Sequence, residues 1–122
     1  MGVRLLLCLA LGACGSGSGP FATGSCQDWG STLCARACEC GTGGQCMYGN
    51  ASGSFTVHFN SRADCDNLWM LSCAQPSANQ NMAYFAACAD ALRTSTCVAP
   101  ANGRSGYVIF PDACSHGDAG AP

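Results

Sequence analysis

No lysine occurs anywhere in this sequence, and the acidic residues outnumber the five arginines by so little that the formal charge is only −2. Arg4, Arg36, Arg62, Arg93 and Arg104 are scattered along the chain. Charges so dispersed cannot neutralise a run of phosphates, which excludes nucleic acid as a partner. Charged residues make up 10 % of the chain, against about 25 % in an ordinary globular domain. The missing lysine, with abundant Ala and Gly, follows codon usage rather than folding and points to a GC-rich bacterial genome. Long apolar runs are lacking too. The longest, from Leu5 to Leu11, offers fewer than half of the roughly 20 residues that a membrane-spanning helix requires.

Activity motifs are equally scarce. There is no C-x2-C knuckle, so the closely spaced Cys34, Cys38, Cys40 and Cys46 do not read as a zinc or iron–sulfur site. No motif calls for a cofactor. "GNASG" is not a nucleophile elbow, because Ser52 falls one place late. Asp64 and Asp66 flank a cysteine at a predicted helix start, where the helix dipole accounts for acidic residues without glycosidase chemistry. Of the two histidines, His58 reads as a solvated strand residue with no partner fixed in sequence, and His116 sits in the tail. Asn50, Ala51 and Ser52 form a glycosylation sequon that, in a bacterial protein, reads as a turn.

Cysteine is what the chain has in excess, with twelve in 122 residues. A domain this small builds a modest core, and cysteine near a tenth of the composition marks a disulfide scaffold, which persists only in an oxidising compartment. The residues from Met1 to Ala13 have the layout of an export signal: Arg4, the apolar stretch Leu5 to Leu11, then the small residues Gly12 and Ala13. The tetrapeptide Leu11, Gly12, Ala13, Cys14 resembles the lipobox of bacterial lipoproteins, and that resemblance implies that Cys14 becomes the acylated new N-terminus. The alternative is an ordinary secretory cut nearby, with Cys14 one more disulfide cysteine. Parity favours the lipobox. Removing Cys8 with the signal and Cys14 with the lipid leaves Cys26, Cys34, Cys38, Cys40, Cys46, Cys65, Cys73, Cys88, Cys97 and Cys114, an even ten. The predicted organisation is a signal over 1–13, a lipidated Cys14 with a Gly/Ser tether to 25, a cysteine-rich domain over 26–114, and a flexible tail over 115–122.

Within the domain, "CQDWGSTLCARACEC" predicts a helix with Trp29, Leu33 and Ala37 on one face, weakened inside by Gly30. "CMYGNASGSFTVHFN" predicts a hairpin in which Phe55, Val57 and Phe59 face the core while Ser54, Thr56 and His58 face solvent. Ser61 with Asp64 predicts a capped helix that puts Cys65, Leu68, Trp69, Ser72 and Cys73 on a shared face. A third helix is expected from about 79 to 93, with Phe85, Cys88 and Leu92 inward. "VAPANGRSG" reads as loop, Tyr107 to Phe110 as a short apolar stretch, and Pro111 as the start of a helical turn closed by Cys114. The fold class is therefore α+β: a small, mostly helical, disulfide-stapled domain with a short hairpin.

Bridge geometry can be pruned but not solved. Cys65 and Cys73 on one helix stand about 12 Å apart along its axis, beyond the roughly 7 Å that a bridge allows between α-carbons, so each bonds elsewhere. Cys38 and Cys40 are too close in sequence to pair without strain.

From Cys88 onward the chain reads "CADALRTSTC", a loop, then "PDAC". This layout resembles the small cysteine-rich lipoproteins of myxobacteria. The resemblance implies a lipidated, disulfide-rich envelope protein at the outer membrane and carries no catalytic residue. The expected function is non-enzymatic binding or scaffolding by a membrane-anchored module, with a small secreted hydrolase as the alternative. A cleft gathering His58 with acids would favour the hydrolase, and an exposed apolar patch would favour binding.

Overall fold

The computed structural model describes residues 21–75, 77–78 and 80–115. The expected signal, Cys14, the first part of the tether, His116 and most of the predicted tail lie outside them. The described chain is a small α+β domain in the order α1 (Cys26–Cys40), β1 (Cys46–Gly49), β2 (Thr56–Phe59), α2 (Arg62–Cys73), α3 (Met82–Arg93), β3 (Cys97–Val98), β4 (Tyr107–Ile109) and α4 (Asp112–Ser115).

The central element is α1. Ser25 caps it, its side chain accepting a hydrogen bond from the Asp28 amide at 3.0 Å and so satisfying one of the orphan donors of the first turn. Ser25 is itself buried and Gly24 packs against α3, so the packed domain begins just ahead of Cys26. As the four-residue spacing predicts, Trp29, Leu33 and Ala37 are buried together, with Cys34 and Cys40 beside them. Leu33, Ala37, Leu92 and Val108 are wholly shielded from solvent. Trp29 stands edge-on to Trp69, with ring centroids 4.4 Å apart, and meets Phe85 at 5.3 Å. Its indole N–H donates to the Cys88 sulfur.

Against α1 lies a sheet in the order β2-β1-β4-β3. The predicted hairpin forms: β1 and β2 pair antiparallel with Cys46 opposite Phe59 and Met47 opposite His58. The sheet is larger than a hairpin. β4 adds to the other side of β1 in parallel, and β3, two residues long and ending on the first residue of the segment read as loop, pairs antiparallel with β4. One predicted core position is overturned. Phe55 precedes β2 in the turn and is exposed, because the turn closes on its backbone, with the Asn50 amide donating to the Phe55 carbonyl, before strand alternation begins.

In α2 the Ser61 side chain accepts from the Asp64 amide, as the capping pattern predicts. Cys65 and Cys73 are buried, but Leu68 and Ser72, expected on the same face, are exposed. The helix leans on α1 along a narrow stripe, and only Cys65, Trp69 and Cys73 fall on it. α3 starts at Met82, later than predicted, with Cys88 and Leu92 inward as expected.

The Arg36 guanidinium reaches from α1 to the C-terminal end of α3. It donates to the Leu92 carbonyl at 3.0 Å and to the Ser95 carbonyl, and it pairs with Glu39. A cation there adds a charged donor to the carbonyls at the helix end and meets the negative end of its dipole.

Five disulfides staple these elements: Cys26–Cys73 and Cys34–Cys65 between α1 and α2, Cys38–Cys46 between α1 and β1, Cys40–Cys97 between α1 and β3, and Cys88–Cys114 between α3 and α4. Cys65 and Cys73 do bond away from their own helix, and Cys38 and Cys40 take separate partners. The five bridges place the protein in an oxidising, extracytoplasmic compartment. Among the described residues, no helix is long and apolar enough to cross a membrane.

Candidate functional site

A depression on the described surface runs between α1 and α2. Gly30 makes it possible. A β-carbon built on Gly30 would sit 2.8 Å from the Trp69 β-carbon, so the missing side chain lets the two helices approach closely while Trp69 leans across α1. The residue that the sequence marks as a weak point in a helix is thus the seat of a helix crossing. Phe21, Gln27, Arg62, Asp66 and Met70 complete a groove of about 210 Å³. That is below the roughly 300 Å³ at which small-molecule pockets begin.

Its charge is internally balanced. The Arg62 Nε donates to both Asp66 oxygens at 3.0 Å, one helical turn apart. Asp66 is therefore an ion-pair partner, and the Asp64 backbone amide donates to the Ser61 cap. The Trp69 indole N–H is buried without a hydrogen-bond partner among the described residues. The cost of leaving it unpaired is of the order of 1–3 kcal/mol.

His58 is elsewhere. It lies exposed on β2 opposite Met47, outside the groove. Cys34, Cys38, Cys40 and Cys46, near one another in sequence, are divided among three bridges, so their sulfurs are used in covalent pairs. The sequon residue Asn50 organises its turn: its side-chain oxygen accepts from the Phe55 amide at 3.2 Å and its amide nitrogen donates to Ser54 at 2.8 Å. The Tyr107 hydroxyl donates to the Asn50 carbonyl at 2.9 Å, tying that turn to β4. Burial pushes the Tyr48 phenol above its ordinary pKa of 10.0.

Sequence reasoning missed the outer face of α2. Leu68, Met70 and Leu71 all project into solvent there, and they were hidden in the run "LWML" because an even mixture of apolar residues around a short helix shows no strong stripe. A second, broader hollow lies at the other end of α1, lined by polar side chains that include Thr42, Gln45, Asn102 and Arg104.

Fold and site together define a class: a small disulfide-stapled α+β domain with exposed apolar side chains along α2. Comparison of the chain with models of known families, with characterised proteins and with solved structures finds no match.

Proposed function

We propose that this protein is a lipid-anchored module of the bacterial envelope, held at the outer membrane through Cys14, with a binding or scaffolding role and no catalysis of its own. The observation that carries the reading is the bridge map. All ten cysteines from Cys26 to Cys114 are paired with one another, so the domain leaves no disulfide partner for Cys14, the residue that ends the lipobox-like tetrapeptide. A thiol without a structural task at that position suits acylation. Two or three acyl chains, at about 0.8 kcal/mol for each buried CH₂, make such an anchor effectively permanent.

The binding role is supported by the exposed apolar residues of α2, since patches of this kind on small domains mark contact surfaces. The hydrolase alternative has less support, because the groove holds a self-neutralised Arg62–Asp66 pair and His58 stands apart from it. Metabolic labelling with an alkyne fatty acid tests the anchor. The parent chain, produced in a bacterium with a lipoprotein-processing pathway, should take up label and enter the detergent phase, while Cys14→Ser should do neither. Equal partitioning of the two forms would sink the proposal.

A further inference from the structure

The exposed large apolar side chains are unevenly distributed. Of six among the described residues, four lie at the end where residue 21 enters the domain, Phe21 (37 % exposed), Met70 (57 %), Leu71 (72 %) and Met82 (44 %), while Leu68 (44 %) stands farther back along α2 and Phe55 lies in the β1–β2 turn. Three contacts bring them together. The Cys26–Cys73 bridge fastens the start of α1 to the end of α2, with α-carbons 5.5 Å apart, so Met70 and Leu71 sit beside the chain entry. Met82 opens α3 against Gly24, where an added β-carbon would meet the Met82 carbonyl oxygen at 2.7 Å. Phe21 and Met70 line the same groove. Charged groups near this pole hold one another: Arg62 pairs with Asp66, and Arg93 is shared between Asp28 and Asp90. The opposite end of α1 carries the polar hollow around Thr42, Gln45 and Arg104.

We propose that this entry pole is a lipid-contacting face that lies on the bilayer holding the Cys14 acyl chains, with the polar pole turned away. The proposal rests on the anchor reading above and adds an orientation and a contact surface to it. Length is the decisive argument. Only six residues separate Cys14 from Phe21, a span of at most about 25 Å and an average reach of about 15 Å. α1 alone, at 15 residues, is about 22 Å long. An anchor at residue 14 therefore holds the entry pole within about 25 Å of the lipid, and presenting the polar pole to the membrane would require the tether to run back, almost fully extended, along the whole domain. Leu, Met and Phe suit the boundary between headgroups and acyl chains. Because both arginines near the pole, Arg62 and Arg93, are engaged by acids and none is left to attract anionic lipid, the contact is apolar, fits a zwitterionic phosphatidylcholine surface, and should not respond to salt.

Brominated lipids, which quench tryptophan only on close approach, read the orientation. Two variants of the full acylated chain, Leu71→Trp at the entry pole and Arg104→Trp at the polar pole, are reconstituted in phosphatidylcholine vesicles with and without brominated acyl chains. The native Trp29 and Trp69 contribute equally to both. The added emission of Leu71→Trp should fall at least twofold in brominated vesicles, at low and high salt alike, and that of Arg104→Trp should be unchanged. Vesicles that float with the protein but quench both reporters equally, or neither, would overturn the orientation while leaving the anchor standing. Protein that fails to float would overturn the anchor and this proposal with it. A soluble Cys14→Ser chain that forms dimers dispersed by Leu71→Asp would assign the face to a second copy instead.

Discussion

Tyr48 shows how one buried side chain links packing to solution conditions. It lies in β1 between Phe59 and Phe110, with ring centroids at 6.4 and 5.3 Å, and burial raises its pKa above 10.0. The neutral phenol is the form the fold accommodates. In the unfolded chain the proton leaves first, so the stabilisation is complete below about pH 10 and is lost as pH rises through the folded value. Denaturant midpoints should fall between about pH 9 and about pH 11, and Tyr48→Phe should flatten that fall. An equally steep decline in both chains would assign alkaline sensitivity to another group. The tyrosine was visible in the sequence. Its burial was not, because "CMYG" is buried along its whole length and shows no alternation.

At the level of elements, the α1–α2 crossing opposes two effects at one position. Gly30→Ala gains helix propensity of about 1 kcal/mol. It also drives a methyl group to 2.8 Å from the Trp69 β-carbon, an overpacking that costs about 1–3 kcal/mol in a core unable to shift. Here it is unable, since the Cys26–Cys73 and Cys34–Cys65 bridges pin the two helices on either side of the contact. The clash should win, with thermal unfolding of Gly30→Ala several degrees below the parent; a rise in melting temperature would mean the helices separate freely. Elements with strong local signals were legible before the structure: α1 from Trp29, Leu33 and Ala37, and the start of α2 from Ser61 and Asp64. Those defined by distant partners were not. β3 is two residues long and exists only because β4 pairs with it, and β4 in turn lies parallel to a strand about sixty residues earlier. The groove escaped for the same reason, since Phe21, Gly30 and Met70 become neighbours only through the helix crossing.

For the molecule as a whole, covalent bonds substitute for bulk. The fully buried side chains are few and mostly small, and cysteines are prominent among them. Each bridge in a small secreted domain is typically worth about 2–5 kcal/mol, comparable with the total stability such a domain can have. Complete reduction should therefore unfold the chain cooperatively and raise its mass by about 10 Da, two hydrogens for each of the five bridges, with no thiol in the domain open to alkylation beforehand. Cys73→Ala and Cys65→Ala should cost more than loss of the short Cys38–Cys46 loop, because the first two close loops of 47 and 31 residues against 8. Retained cooperative folding after reduction would point to a core stronger than its side chains suggest.

Four of the five bridges begin in α1, whose cysteines at 26, 34, 38 and 40 find partners at 73, 65, 46 and 97. A chain threading out of a translocation pore presents its thiols in order of appearance, and an oxidant acting on arrival would join near neighbours, such as 26 to 34, 46 to 65, 73 to 88 and 97 to 114. Not one of those pairs is native. Maturation must then depend on thiolate exchange that undoes early errors, and a host that supplies oxidising power without a disulfide isomerase should secrete this protein in abundance and almost entirely scrambled.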